Sequence, residues 1–371
     1  MAVILSAAWF KPYSQTTKLL FENDNGWMAK LLQPFVRWDG IYYLLIARDG
    51  YTTEKLHAFY PLYPALIKYV SKFLRIDSSA MTRLALTGVL ISNASQLIAY
   101  WALYYLSRRL LGRRDLARQS VVFFMLQPAS YHMSSVMSEA TFNALALSGF
   151  LAYYSGRRFL AAVLWSLAAL TRSNGLLFCG FFLYQALVLK RDILDGLLQA
   201  ALVLASGWYY LASCRSKYCN EHGWAEWCSW LVPNIYSYLQ GKYWKVGLFQ
   251  YYSWQQLPNF LVALPVLSTS CYGIYRYASG DPKGFCTVYQ FRQKVPHLAA
   301  LYYLWAFLVV FSMLFVHIQV VNRLFSYLPM MFWTLAFVWE ERVIPRRLLL
   351  LITGIYFGPI AFLVSCFYPP A

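Results

Sequence analysis

The chain has 371 residues, of which 60% are hydrophobic and only 13% are charged, with 14 Trp, 31 Tyr and 26 Phe. This composition excludes an ordinary soluble domain and is typical of a protein with several membrane-spanning helices. The net charge of +17 does not indicate nucleic-acid binding, because the basic residues form short clusters between apolar segments and no continuous basic face. We therefore predict an all-α polytopic membrane protein, with residues 1–371 as a single multispan domain and no nucleic-acid partner.

The N-terminal part of the chain carries a compact polar motif at residues 37–40, Arg-Trp-Asp-Gly. The apolar segment that precedes it, residues 2–10, is too short to cross a bilayer, since a spanning helix needs roughly 20 residues. An ionised side chain at mid-bilayer costs roughly 3 kcal/mol or more. Asp39 is therefore expected at the membrane interface or in a water-filled cavity.

Residues 39–50 predict a short helix that lies at the interface. Asp39 is suited to the N-cap position and Gly50 to the residue that ends the helix. The apolar stripe of this helix consists of Ile41, Leu44 and Leu45. The pattern thus predicts an amphipathic helix that follows the polar motif directly.

From residue 81 onward, ten apolar segments have spanning or near-spanning length. They are residues 81–106, 119–137, 139–156, 159–171, 175–189, 193–213, 257–275, 298–316, 324–339 and 348–366. We predict about ten to eleven transmembrane helices in all.

The basic residues predict the orientation of these segments. Half of the 32 Lys and Arg residues fall in alternate connections, which the positive-inside rule assigns to the cytoplasm. The opposite face, which we interpret as lumenal, then receives the polar clusters. They are residues 30–80, a predicted catalytic loop region; the turn at 138–139; residues 171–175; the aromatic-rich loop 214–256; and residues 317–323. Five clusters that are distant in sequence are therefore predicted to converge at one membrane face.

Asp39 has two interpretations. It could serve only as a helix cap or as an ion-pair partner of Arg37, and spacing alone does not decide. A carboxylate at the membrane boundary can also act as a general base that takes a proton from a sugar hydroxyl. No second carboxylate lies nearby with the regularity of a double displacement, so a single base indicates single displacement with inversion.

Arg172 and Arg323 each stand between apolar runs on the predicted lumenal face. A single interfacial arginine commonly extends toward lipid headgroups, so membrane anchoring is the alternative for each. Together with His317 and opposite a base, the two arginines would make a better anion site, because a guanidinium group can bind a phosphate through two hydrogen bonds.

Loop 214–256 combines many aromatic residues with three cysteines. Most of the rings are explained by an aromatic belt at the interface, while some could line a cleft for a sugar acceptor. Cys214, Cys219, His222 and Cys228 resemble a zinc set, but their spacing fits no common pattern. A disulfide is favoured in an oxidising lumen, and we hypothesise the pair Cys219 and Cys228, with Cys214 as a competing partner.

With these clusters assembled, residues 34–335 resemble the GPI mannosyltransferase 2 family. The resemblance rests on residues 37–39, 57–64, 138–140, 171–175, 233–238, 257–260 and 317–320, in that order and spacing. It implies a GT-C membrane glycosyltransferase in the endoplasmic reticulum, with interfacial helices in its lumenal loops and the active site on the lumenal side. It further implies dolichyl-phosphate mannose as donor, a GPI-precursor glycolipid as acceptor, an α1,6 linkage and Asp39 as the catalytic carboxylate. The chain departs from the family pattern at its N-terminus. The resemblance implies a full membrane span before the lumenal loop, whereas here the apolar segment before that loop is residues 2–10.

The clusters and the resemblance together give a predicted site. We expect Asp39 to be catalytic and the following residues to bind substrate: Arg37, Trp38, His57, Glu139, Arg172, Asn174, Asn234, Tyr236, Tyr243, Trp244, His317, Gln319 and Arg323. No metal and no cofactor is expected, the donor being a substrate; membrane lipids surround the protein, and a small membrane partner subunit is left open. The alternatives are a lipid or solute transporter, for which no pair of related halves is present, and a non-catalytic membrane subunit.

Overall fold

The computed structural model describes residues 16–22, 24, 26–220, 225–279 and 298–354. Within these ranges the protein is helical and contains no strand, which confirms the predicted all-α class. In chain order the α-helices are α1 (Thr16–Leu20), α2 (Trp27–Leu32), α3 (Asp39–Asp49), α4 (Leu62–Val70), α5 (Ala80–Leu111), α6 (Arg114–Met125), α7 (Ser130–Ser134), α8 (Glu139–Tyr154), α9 (Arg158–Ala169), α10 (Cys179–Leu183), α11 (Ile193–Arg215), α12 (Ile235–Trp244), α13 (Leu257–Ser279), α14 (Leu298–Phe315), α15 (Val321–Leu324) and α16 (Pro329–Glu341). Residues 346–354 are also helical.

Shorter helical turns connect or extend these elements. The 3₁₀ turns are Gln33–Phe35, Glu54–Ala58, Ser71–Phe73, Ser173–Phe178, Glu226–Ser229, Trp254–Gln256 and Ile318–Val320. The π-helical turns are Tyr184–Val188, which extends α10, and Ser216–Asn220, which extends α11.

Among the described residues, four helices are long and apolar enough to cross a membrane. They are Ala80–Leu111, Ile193–Asn220, Trp254–Ala278 and Leu298–Phe315. Two shorter apolar segments, Arg158–Ala169 and Ser173–Val188, accompany them. The total of ten to eleven crossings stays a prediction, and most of the last apolar segment, 348–366, lies outside the described residues.

The apolar segment 119–137 is not the single spanning helix that the sequence predicted. Helix α6 ends at Met125, and the chain turns through Gln127 and Pro128 before the five-residue helix α7. Proline lacks the N–H group that a helix needs and disfavours the helical conformation in the residue before it. Apolar composition alone could not show this break.

Helix α3 begins one residue earlier than predicted, and the face that it buries differs from the predicted apolar stripe. Asp39 is the first helical residue rather than the N-cap, which is Trp38, while Gly50 ends the helix with a φ of 80° as predicted. The buried face contains Gly40, Tyr43, Leu44, Ile46 and Ala47. Ile41 and Leu45 of the predicted stripe are only partly buried, because α3 packs inside the fold against α4 and α5.

The core of the protein lies around α8, which packs against both α5 and α9. Large aromatic side chains fill it: Trp165 of α9 stacks on Phe178 with ring centroids 5.1 Å apart, and Phe150 of α8 meets both rings edge-on. Asp39 and Glu139 stand in the first turns of α3 and α8, where the positive end of the helix dipole favours a carboxylate. Each of the two acidic side chains thus stands at the N-terminal end of a helix.

Candidate active site

A cavity of about 410 Å³ opens beside the first turns of α3 and α15. Segments from all along the chain line it: the start of α3, the end of the turn Glu54–Ala58, the residues that follow α9, one face of α12, and α14 with the connection after it. Of the predicted site residues, the cavity brings together Asp39, Arg172, Asn174, Tyr236, Trp244, His317 and Arg323. Four of the five polar clusters contribute directly to its lining.

Four charged side chains form the floor of the cavity. Arg323 donates from Nη2 to Oδ2 of Asp39 at 2.5 Å and from Nε to Oε1 of Glu139 at 2.6 Å. Arg172 donates from Nη1 to the same Oε1 of Glu139 at 2.7 Å. Two carboxylates and two guanidinium groups therefore make a neutral ion cluster, which satisfies the requirement that buried charges be paired.

The members of this ion cluster differ in exposure. The side chains of Asp39 and Arg172 are 21% and 20% exposed and face the cavity. Those of Glu139 and Arg323 are 1% and 7% exposed and lie deeper. The first pair can meet a ligand, whereas the second pair holds the first in place.

The backbone around Asp39 is tightly constrained. Trp38 has a φ of 52°, a conformation that costs of order 1–3 kcal/mol for a bulky residue and persists only when the surroundings impose it. A Cβ atom on Gly40 would lie 2.9 Å from the carbonyl oxygen of Val136, so only glycine allows this close approach. Val136 in turn donates its N–H to the carbonyl of Phe35 at 3.0 Å. These contacts fix the position of Asp39 relative to the segment that leads to Glu139.

Arg172 is positioned by the tight connection between α9 and the turn Ser173–Phe178. A Cβ atom on Gly175 would lie 2.4 Å from the backbone nitrogen of Ala169, so the chain can fold back here only with glycine. This requirement explains the glycine at the end of the motif 171–175. Outside its contacts with Glu139 and Ser138, Arg172 has Nε and Nη2 unengaged by any described residue.

His317 lines the cavity without acting as a cation. Its Nε2 donates to the carbonyl oxygen of Trp244, and its ring packs on Tyr251 with centroids 4.3 Å apart. Burial lowers the pKa of His317 below its ordinary value, and the bond to Trp244 only partly opposes this. The imidazole is therefore neutral near pH 7 and does not add positive charge to an anion site.

His57, which was predicted to bind substrate, does not line the cavity. Its Nδ1 lies 3.2 Å from the hydroxyl of Tyr210 and 3.2 Å from Sγ of Cys214, and its ring stacks on Tyr51. Burial and the nearby Lys217 ammonium lower the pKa of His57 to about 4. This neutral imidazole packs the chain behind the cavity wall.

The structure also leaves other predicted residues outside the lining. Asn234 caps α12, where its Oδ1 accepts from the backbone N–H of Ser237 at 3.1 Å. Glu139 lies under the arginines, and Tyr243 stands beside Trp244 at the outer rim, with ring centroids 6.0 Å apart. Arg37, Trp38 and Gln319 complete the set that does not line the cavity.

Sequence reasoning missed two features of the site. It found no second carboxylate beside Asp39, but Glu139 shares the guanidinium of Arg323 with it. The sequence did assign the turn at 138–139 to the same membrane face as Asp39. It did not indicate that Glu139 and Asp39 pair with the same arginine. It also missed wall residues that carry no polar motif: Tyr43, Phe59, Tyr60, Gln240, Phe307 and Phe311.

The aromatic-rich loop carries the predicted disulfide. Cys219 and Cys228 are bonded, while Cys214 is a free, buried thiol. This bond consumes two thiols of the zinc set considered as an alternative, and His222 of that set lies outside the described residues. The disulfide ties the π-helical end of α11 to the turn before α12.

The comparisons agree with this architecture. The family model described as "Mannosyltransferase (PIG-V)" matches residues 6–345. GPI mannosyltransferase 2 of Schizosaccharomyces pombe is 31% identical in an alignment of length 313 that covers 81% of this chain and 65% of that protein. GPI alpha-1,6-mannosyltransferase 2 of Rattus norvegicus is 30% identical in an alignment of length 366 that covers 84% of this chain and 74% of that protein. The chain thus spans slightly less than two thirds of the length of the yeast relative.

A solved structure shows the same fold. The crystal structure of the apo Archaeoglobus fulgidus oligosaccharyltransferase superposes with a TM-score of 0.55 at 13% identity, and it covers 100% of this chain and 56% of that one. At this identity the similarity concerns the fold alone. It supports the predicted GT-C class.

Proposed function

The chain belongs to the mannosyltransferase (PIG-V) family, and on that premise we propose that it transfers mannose from dolichyl-phosphate mannose to a GPI-anchor precursor. The product linkage would be α1,6, and the reaction would take place on the lumenal side of the endoplasmic reticulum membrane. The names of the relatives support the sugar, the acceptor and the linkage. The cavity supplies the groups that such a transfer needs.

Asp39 is the proposed general base. The acceptor hydroxyl oxygen attacks the anomeric carbon of mannose, and its proton passes to the Asp39 carboxylate. The bond from that carbon to the phosphate oxygen breaks, and its electron pair leaves with dolichyl phosphate. Attack opposite the leaving group inverts the configuration at the anomeric carbon.

Glu139 supports single displacement despite its closeness to Asp39. A double displacement requires a carboxylate that can reach the sugar and bond to it. The side chain of Glu139 is 1% exposed, and its Oε1 accepts from both arginines. It therefore holds the guanidinium groups rather than attacking the donor.

Arg172 is the proposed ligand of the donor phosphate. Its side chain faces the cavity and has two donor nitrogens that no described residue engages. A guanidinium group that binds phosphate stabilises the negative charge developing on the leaving group. Arg323 is engaged with both carboxylates, so its contribution is to position Asp39.

The observation that carries the proposal is the partly exposed Asp39 carboxylate at a cavity floor that also exposes Arg172. We predict that Asp39→Asn lowers transfer by roughly 10²- to 10⁴-fold, because the amide keeps the size of the side chain but cannot accept the proton. The measurement is complementation of cells that lack the second GPI mannosyl step, with their lipid-linked intermediates analysed, together with transfer by the purified protein.

Asp49→Asn is the matched control, since Asp49 ends the same helix and pairs with Arg48 at the surface. Normal transfer by a folded Asp39→Asn protein would contradict the mechanism. Loss of the folded protein instead would favour a purely structural role of Asp39. Transport of lipid or solute without mannosyl transfer by the wild type would favour the transporter alternative.

A further inference from the structure

Two lysines converge on one tyrosine ring at the outer edge of the cavity. Nζ of Lys55 lies 5.2 Å from the ring centroid of Tyr243, and Nζ of Lys242 lies 5.6 Å from the same centroid. Lys55 comes from the turn Glu54–Ala58 and Lys242 from α12, so the convergence is produced by tertiary packing. We call Lys55, Lys242 and Tyr243 the lysine rim.

The lysine rim carries two positive charges and has the Glu54 carboxylate nearby, whose charge favours the charged form of Lys242. In the part of the chain that the structure describes, neither ammonium group forms an ion pair with a carboxylate; each donates instead to a phenol. Glu54, the acid next to Lys55 in sequence, accepts from the indole N–H of Trp227 at 2.7 Å. The hydrogen bond with Tyr238 raises the pKa of Lys242, which keeps it charged at neutral pH. Two like charges held at one ring repel each other unless an anion joins them.

The lysine rim is continuous with the cavity through stacked rings. Lys55 donates to the hydroxyl of Tyr42 at 3.1 Å, and the ring of Tyr42 stacks on Phe59 with centroids 4.8 Å apart. Tyr243 contacts the ring of Trp244. Phe59 and Trp244 both line the cavity, so an unbroken aromatic surface leads from the two ammonium groups toward Asp39.

We propose that the lysine rim binds the phosphodiester of the acceptor glycolipid, whose sugar chain lies along Tyr243 and Trp244 and presents its hydroxyl to Asp39. This inference rests on the proposed function. A glycosylphosphatidylinositol precursor carries a phosphodiester between its sugars and its lipid, and two ammonium groups can each donate to one of its non-bridging oxygens. Sugar faces pack on the aromatic rings between the phosphodiester and the reacting hydroxyl.

The donor phosphate cannot be the anion of this subsite. That phosphate is bonded to the anomeric carbon under attack, so it must lie within a few bonds of Asp39, where Arg172 is available. Lys55, Lys242 and Tyr243 lie beyond the cavity lining, to which Arg172 belongs. The two phosphate groups of the reaction are thereby assigned to two different kinds of basic residue.

Kinetics of a double variant test this assignment. In phosphatidylcholine vesicles, Lys55→Gln with Lys242→Gln should raise the KM for the acceptor by roughly 10- to 100-fold, because two charge-assisted hydrogen bonds are lost. The KM for the donor and kcat at saturating acceptor should stay unchanged. Soluble glycerophosphoinositol should inhibit the wild type and should not inhibit the double variant.

Lys72→Gln is the matched control, since Lys72 also lies over a tyrosine ring, 5.1 Å from the centroid of Tyr69, but away from the cavity lining. An unchanged acceptor KM in the double variant would overturn the proposal. A second result would also overturn it: the donor KM and the acceptor KM rise equally in the double variant, and 20% phosphatidylserine in the vesicles changes the KM values of the wild type but not those of the variant. The lysines would then bind bulk anionic lipid. Asp39→Asn distinguishes failure of the acceptor subsite from failure of the proposed function. If Asp39→Asn is inactive and the double lysine variant behaves as wild type, only the acceptor subsite is wrong.

Discussion

The floor and the aromatic wall of the cavity are built in opposite ways. The floor consists of four paired charges, of which Glu139 and Arg323 are nearly fully buried, and the two carboxylates stand in the first turns of α3 and α8. The aromatic wall includes one face of α12, a ten-residue helix that follows the Cys219–Cys228 disulfide and whose Tyr243, at the outer rim, is 44% exposed. Under the proposed function, the groups of the chemical step need a fixed geometry, whereas the groups that would receive a long flexible acceptor can tolerate adjustment.

The largest expected effect comes from removing the Glu139 carboxylate, which accepts hydrogen bonds from both arginines of the floor. Glu139→Ala should lower the free energy of unfolding by roughly 3–5 kcal/mol, because the buried guanidinium group of Arg323 and the half-buried one of Arg172 would lose the carboxylate that they share. Thermal unfolding in detergent would measure it. Glu340→Ala is the control, since Glu340 is 28% exposed and pairs with Arg113 at the surface, where a pair contributes about 1 kcal/mol at most. Wild-type stability of Glu139→Ala would show that the ion cluster does not hold the floor together.

Replacement by lysine should affect Arg172 and Arg323 differently, the first mainly in transfer rate and the second mainly in stability. Arg172→Lys keeps the charge but loses the planar fork, and transfer should fall by roughly 30- to 1000-fold, equal to about 2–4 kcal/mol of transition-state stabilisation, with little change in unfolding. Arg323→Lys should instead lower the free energy of unfolding by about 1–3 kcal/mol, since one ammonium group cannot reproduce bonds from both Nε and Nη2.

Kinetics with varied donor at fixed acceptor, paired with unfolding curves, would distinguish the two arginines. Normal donor dependence in both lysine variants would mean that the arginines only anchor the protein in the membrane, and the phosphate site would then lie elsewhere. Equal losses of stability in both would remove the distinction between an exposed and a buried arginine.

The smallest expected effect concerns the wall. Replacing Cys219 and Cys228 together by serine should raise the acceptor KM by roughly 2- to 5-fold, or about 0.4–1 kcal/mol, because α12 loses a local restraint while the floor keeps its contacts. Donor KM and the unfolding midpoint of the helical core should change little. Cys271→Ser, at an exposed free thiol of α13, serves as control. A loss of donor binding in the double serine variant would show that wall and floor are coupled.

Sequence patterns predicted the helical class, because composition and apolar length are local properties, and they singled out the polar segments of which four line the cavity. The Cys219–Cys228 pair was a hypothesis that left Cys214 as a competing partner, and the structure contains this bond. Sequence patterns could not predict that Asp39 pairs with Arg323, which is 284 positions away. The choice of ion-pair partner depends on how helices pack, and no local spacing encodes it.

The same limit explains the other differences. The buried face of α3 follows from its contacts with α4 and α5 rather than from its own apolar pattern. Pro128 breaks an apolar run that looks continuous when only hydropathy is counted. The lysine rim joins two segments whose lysines carry no recognisable motif, so only the three-dimensional structure brings them together.

The ion cluster also has a consequence for how the protein is made. Its members leave the ribosome in the order Asp39, Glu139, Arg172 and Arg323, so the bridging arginine is synthesised last. Until then the nascent chain carries two carboxylates and one guanidinium group at a place that later excludes water. The ion cluster is therefore completed only after most of the helices have been synthesised, and a chain that stops before residue 323 keeps two carboxylates with one guanidinium group, which leaves a net negative charge at this place.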